Sequence, residues 1–377
     1  MTKFRGEDIA SVKPFELQVD LKSGGWVPDG SRPAFLIKLQ NGSKCVLKGE
    51  ILSATDVASR KIGLKSAVFI GGMHSHLTSD LNVVPVSDDE MLELCNLRAD
   101  EIDFSGPADA AVTYIRDLVG SNMFVFYTMA FVEGLKNLES QVDKGKDKTD
   151  LAKVGACKLA RKMCTDSRLL PELGKVIAVD LFSGNTDRFS KEGKIVNSGN
   201  ILFRKNLDKT YSPVGVDFFE AQGDSKMYAP LLDPQSWGGR ILADKQEIDR
   251  FASRAVMSLN NAFAAAIQPV PMPLDAILGG AQVVALANGI SSGADELRRY
   301  LLNLRKQARG VPAGVASRMD VLGWTNTGWV SATKPPPIVT PAPLRPATPT
   351  PTVPPVASTS GSNSPRGRFA GIKFPKF

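Results

Sequence analysis

Short apolar-rich runs at 15–21 (FELQVDL), 34–39 (AFLIKL) and 44–52 (KCVLKGEIL) each predict a strand. Asn41-Gly42 between the last two is a two-residue hairpin signal. The polar stretch 1–14 predicts a loosely held terminus, and the Gly/Pro-rich stretch 22–33 a loop between strands. A helix is expected over 53–65, a short strand at VFIGG (68–72), and a helix after Ser87, where SDDE forms a capping box. Residues 108–119 read as a helix and MFVFYTMAFVEG (123–134) as a buried strand running into a connector. Helical spacing returns over 150–170, interrupted by Pro171, and VIAVDLF (176–182) again looks like a strand. NILFRK, a turn at 206–212 and VGVDFF predict a hairpin. Beyond it, 244–267, 274–288 and 294–309 read as helices. A strand-rich front and a helix-rich back make the class α+β.

Chemistry-bearing residues concentrate in 184–219. Asp187 sits in the polar loop GNTDR, Asn200 opens NILF, and Asp217 closes VGVD. Three oxygen-bearing side chains at neighbouring strand ends would suit Mg²⁺, which takes a few hard oxygen ligands together with water and substrate phosphate. The plain alternative is three loop polars on an ordinary hairpin. Lys48 shares a strand face with Val46 and opposes Leu47, so it would point into any cleft that Val46 lines and meet phosphate oxygens there. A solvated surface lysine is the competing reading. His74 and His76 form an HxH pair that could bind zinc, although these are the chain's two histidines and no Cys spacing supports them. Glu90 and Glu93, on the helix after Ser87, are candidate partners for Lys48.

Composition narrows the classes. The 377 residues carry a net charge of +7, and Arg345, Arg366, Arg368, Lys373 and Lys376 account for five of it with no acid among them. The basicity therefore belongs to the tail and gives no argument for a nucleic-acid groove in the body. No leader and no run near the roughly 20 apolar residues of a membrane span is expected. Cys45, Cys95, Cys157 and Cys164 show no metal spacing and suit four reduced thiols. From 334 the chain is Pro/Thr/Ser-rich, a disordered spacer favouring polyproline II. Its PAPLRP would suit an SH3-type partner.

The order strand lysine (Lys48), GNTDR loop, later asparagine (Asn200) and strand-end aspartate (Asp217) resembles the protein-kinase-like superfamily. The loop is most similar to the atypical branch of HipA-type bacterial kinases and phosphatidylinositol 3-/4-kinase-like enzymes, type II phosphatidylinositol 4-kinases in particular. That resemblance covers about 15–267. It implies a two-lobed kinase-like fold, with an N-lobe and hinge at 15–134, a helical C-lobe at 135–333 and a tail at 334–377. It implies ATP and Mg²⁺ as cofactors, with Asp187 and Arg188 catalytic, Asn200 and Asp217 as metal ligands, and Lys48 with Gly24 and Gly25 on the nucleotide. The substrate would be a protein hydroxyl or a phosphoinositide. The ten residues SKEGKIVNSG before Asn200 exceed the usual gap, so Asn197 is its substitute, and Asp180 could be the acid in place of Asp187. No regular GxGxxG precedes Lys48. AMP transfer and an inactive pseudokinase scaffold are the alternative functions. The location would be cytoplasmic, or a host cell reached by a bacterial effector without a signal peptide.

Overall fold

The computed structural model describes residues 2–15, 17–19, 26–28, 33–51, 57–78, 81–120, 124–139, 150–216, 237–307 and 311–324, all within one compact unit. The front half holds β1 (Lys3–Phe4), β2 (Glu7–Pro14), β3 (Leu17–Val19), β4 (Trp26–Pro28), β5 (Ala34–Leu39) and β6 (Lys44–Ile51). Helix α1 (Val57–Leu77), β7 (Val84–Pro85), α2 (Asp88–Leu94), α3 (Ala108–Gly120) and β8 (Phe124–Ala130) follow. Then come β9 (Leu135–Asn137), α4 (Asp150–Thr165), α5 (Leu169–Ser183), β10 (Leu202–Lys205) and β11 (Tyr211–Val214). The described chain closes with α6 (Trp237–Ala243), α7 (Lys245–Ile267), α8 (Gly280–Lys306) and α9 (Ala313–Val321). The α+β class holds.

Six strands form one antiparallel sheet in the order β1-β2-β5-β6-β8-β7. The segment expected to be a loose terminus supplies two of them. Its alternation is hidden in the sequence because the β2–β5 register shifts between Ile9 and Ser11. That irregularity puts Ile9 and Val12, an odd number of residues apart, into the same core. The β5–β6 hairpin turns at Asn41-Gly42 as expected, with Gly42 at φ 84°.

The sheet separates two cores. Leu47 and Phe126 join Phe35, Ile37, Met91, Leu94 and Ile115 on the face covered by α2 and α3. Val46, Tyr127 and Met129 join Ile70, Met73 and Leu77 of α1 and the helical body on the other. The box at Ser87 is formed as expected: Ser87 Oγ accepts from Glu90 N, and Glu90 Oε2 accepts from Ser87 N at 2.7 Å.

Two runs read as strands are helical. VFIGG lies inside α1, where Ile70, Met73 and Leu77 make a buried stripe at helical spacing. VIAVDLF is the last half of α5, twelve of whose fifteen residues are buried. A helix apolar on every side has no polar stripe, so locally it looks like a buried strand. Pro171 begins a helix rather than ending one. It occupies the first turn of α5, where a missing N–H costs nothing.

Helix α8 lies along α5. The stretch 274–306 that contains it is, by length and composition alone, long and apolar enough to cross a membrane. One side of α8 is packed into the body, burying Leu286, Ile290, Leu297 and Leu301. The contact is backbone-close. A Cβ on Gly289 would lie 2.2 Å from the Pro171 carbonyl oxygen, and one on Gly174 2.6 Å from Gly289. Gly289→Ala is therefore expected to destabilise the protein by about 2–3 kcal/mol, because backbone rather than a side chain must yield. Urea unfolding checks this. A neutral or stabilising result, as helix propensity alone would give, would contradict the close packing.

Candidate functional site

The end of α5 organises the region. Gly184 caps the helix in the left-handed region at φ 76°, and its N–H bonds the Asp180 carbonyl. Asn185 N also donates to that carbonyl at 2.9 Å, and Arg318 Nη2 of α9 reaches Leu181 O at 3.4 Å. The Asn185 side chain then works both ways. Its Nδ2 donates to Asp180 Oδ1 at 3.0 Å, and its Oδ1 accepts from Asp187 N at 3.0 Å. The GN of GNTDR is thus a cap followed by an Asx-type turn that sets the backbone of Asp187. Asp187 follows a helix, not the strand expected.

The long gap before Asn200 is looped out. Phe189 and Ile195 pair as a bridge, and Val196 N donates to Arg188 O at 3.0 Å. Ser190 N bonds Lys194 O at 2.8 Å inside the loop, and Ile195 N bonds Ser258 Oγ of α7 at 3.0 Å. Asn197 caps a 3-10 turn at Ser198–Asn200, accepting from Gly199 N at 2.9 Å. The chain therefore returns beside its starting point, and Asn200 Nδ2 donates to Asp187 Oδ2. Of the two candidate asparagines, Asn200 meets Asp187 and Asn197 is a cap. The hairpin after this turn pairs Leu202 with Val214 and also takes in β9, Leu202 opposite Asn137. Leu138 N bonds Ile201 O at 2.8 Å, so the connector leaving β8 runs directly past the turn. The second hairpin strand is YSPV, ending before Gly215.

Beneath the loop lies a buried polar cluster. Arg188, expected among the catalytic residues, is only 1% exposed. Its Nε is 3.0 Å from Asp180 Oδ2 and its Nη1 donates to Val216 O. A guanidinium so placed faces the protein interior, not a substrate. His74 of α1 is fully buried with Nε2 3.7 Å from Asp180 Oδ1. Its ring abuts Gly215, where a Cβ would stand 2.2 Å from His74 Nδ1. Burial pushes Asp180 up to about 6, although Arg188 and the Asn185 hydrogen bond pull it down. Burial, and then the Arg188 charge, hold His74 well below its ordinary value, so it is neutral at pH 7.

Lys48 is buried on β6 opposite Tyr127. It shares the Val46 face, which looks toward α1 and the helical body. Glu90 and Glu93 are not its partners. They belong to α2, whose Met91 and Leu94 pack on the opposite face of the sheet, and Glu90 pairs with Arg5 at 3.0 Å. The helix on the Lys48 face, α1, carries no carboxylate. The HxH zinc site is also excluded by geometry: two residues apart on a helix the side chains diverge, and His76 stacks on Tyr300 at 4.2 Å. Among the described residues no three His, Cys, Asp or Glu side chains converge for a metal. A cavity of about 230 Å³ lies at the β5–β6 turn end of the sheet, lined by Phe4, Arg5, Leu39, Lys44, Cys45 and Met129, and Lys48 does not line it. Gly24, Gly25, Asp217 and the tail lie outside the described residues. Asn185 and Gly215 are site residues that the sequence did not single out, and it held no signal that His74 meets Asp180. Asn185, two positions before an aspartate, carried a turn signal.

No family model and no curated protein matches the sequence. Solved structures similar in backbone include two of one kinase. One is a crystal structure of the Golgi casein kinase, with a TM-score of 0.31, 13% identity, 77% of this chain and 73% of that one covered. The other is the Golgi casein kinase with Mn/ADP bound, at a TM-score of 0.29, 14% identity and the same coverage. At these values the likeness bears no weight, and the chemistry of the site rests on its side-chain geometry.

Neutral His74 has a pH consequence. The unfolded chain takes up a proton near pH 6.5 that the folded protein refuses, so the stability involved is full above that pH and lost as pH falls. Asp180 acts oppositely: its raised value favours the fold at low pH, and that part is lost as pH rises from about 4 through 6. The stability gap between the parent and His74→Gln should therefore narrow between pH 7 and pH 5, at a rate of up to about 1.4 kcal/mol per pH unit. Denaturant unfolding at both pH values measures it; a gap independent of pH would mean that His74 binds protons alike in the folded and unfolded chain, and a gap that widens toward pH 5 that it is charged in the fold.

Proposed function

We propose that the chain is an ATP/Mg²⁺-dependent phosphotransferase of the atypical kinase kind, moving a phosphoryl group to a hydroxyl of a protein or a phosphoinositide. One observation carries the reading: Asp187 and Asn200, thirteen residues apart, are joined side chain to side chain with the intervening loop closed off. An ordinary hairpin has no need to fold that insertion away. Lys48, buried on the face turned toward the same helical body, adds a cation suited to phosphate oxygens.

In this reading ATP sits between the sheet and the helical body, with its base against the connector after β8. Lys48 neutralises phosphate charge. Asp187 orients the attacking hydroxyl and accepts its proton. The donor chemistry suits Mg²⁺: Asn200 uses its Nδ2 on Asp187 and keeps Oδ1 as a hard acceptor, and the carboxylate of Asp217 would be the other protein oxygen. Bound there, the ion would offset charge on the transferring group, which with positioning is most of the catalysis of phosphoryl transfer.

The purified protein, incubated with Mg²⁺ and ATP labelled at the γ or the α phosphate, should transfer γ label to itself or to an added acceptor. Asp187→Ala should lower that transfer by about 10²–10⁴-fold, the span typical of general-base removal. Transfer of α label would make the activity AMP transfer, and no ATP binding in any form would leave a scaffold.

A further inference from the structure

Arg188 is the residue the phosphotransfer reading leaves without work, since it is buried and cannot reach a substrate. Its contacts are not those of a simple core ion pair. One side of the guanidinium meets Asp180, fixed on the last turn of α5. Another donates to the carbonyl of Val216, the last described residue before Asp217. Its own carbonyl holds Val196, which closes the insertion in front of Asn200. One residue thus touches the helix that presents the loop, the segment that leads to Asp217 and the closure that returns Asn200. Asp180 makes the same kind of link, holding Arg188 with one oxygen and Asn185, the setter of the Asp187 backbone, with the other. On the far side His74 rests against Gly215, which brings α1 to the same segment.

We propose that Asp180 and Arg188 are a positioning pair, which sets the distance between Asp187 and the residues entering Asp217. The proposal rests on the phosphotransfer reading for the meaning of that distance, but not for its existence. Stability does not require the pair to be ionic. Desolvating two buried charges is costly, and an apolar pair of similar volume can leave a fold as stable or more so. Geometry is another matter, because an apolar pair has no donor for Val216 O and no acceptor for Asn185.

That contrast supplies the test. The double variant Asp180→Leu/Arg188→Met is compared with the parent by urea unfolding, by kcat and KM for ATP with γ-labelled ATP, and by amide hydrogen exchange. The expected result is stability retained, KM within threefold, and kcat down about 100-fold, the loss that a misplacement near 1 Å brings. Exchange should quicken together in 185–189 and 214–216. If the double variant does not fold, Arg188→Met alone, which removes the donor to Val216 O while Asp180 is free to take up a proton, carries the same readouts. Activity within threefold of the parent, or exchange unchanged in both segments, overturns the proposal. Should the parent transfer no label, the phosphotransfer reading falls by itself. Coupled exchange would then still sustain the pair as a positioning device, and unchanged exchange would overturn it too.

Discussion

A helix buried on every side has to dispose of its last carbonyls, and of any charge on its last turn, without water. Helix α5 is such a helix, and most of the candidate site stems from how it ends. Gly184 and Asn185 take the Asp180 carbonyl, Arg318 takes Leu181, and Arg188 takes the Asp180 carboxylate. Each solution pulls a further segment into place: the cap turns the chain into the Asp187 loop, Asn185 fixes that loop's backbone, and Arg188 ties the loop to the exit of β11. An unpaired charge at this depth would be expensive, so the arrangement is all or nothing.

The same constraint explains why the two sides of the sheet differ. On the face against α2 and α3, the sheet buries aliphatic and aromatic residues and one small core is complete. On the face against α1, it presents Lys48 along with Val46, Tyr127 and Met129, and α1 itself carries the buried His74. A buried lysine and a buried His–Asp–Arg cluster on the same side of one sheet are costly in sum. Groups buried and paired in this way occur at functional sites and in structural ion-pair networks alike.

The legible parts of the fold were those with local physics. The Asn41-Gly42 hairpin, the Ser87 capping box, α3, α7 and β8 all announce themselves by turn chemistry, caps or unbroken periodicity. The illegible parts were those where the local pattern is overridden. β2 hides its alternation behind an irregular register, and VIAVDLF is too uniformly apolar to show a helical stripe. At the site, residue types and order were readable: an aspartate in a tight polar loop, a later asparagine, a lysine on a strand. Contacts between distant segments were not. Nothing in the sequence puts His74 over Gly215, assigns Arg188 to the interior, or separates Asn200 from Asn197.

The closed loop between Phe189 and Ile195 bears on how such proteins are found. Its two ends meet, so the flanks are held together at the neck rather than by the residues between them, of which Gly193 packs on α7. Sequence distance between Asp187 and Asn200 is thereby uncoupled from distance in space. A search pattern that counts a fixed number of positions from one to the other would pass over this chain, and over any relative whose loop had grown or shrunk. The pairing across the neck of the loop is what such a pattern would have to encode instead.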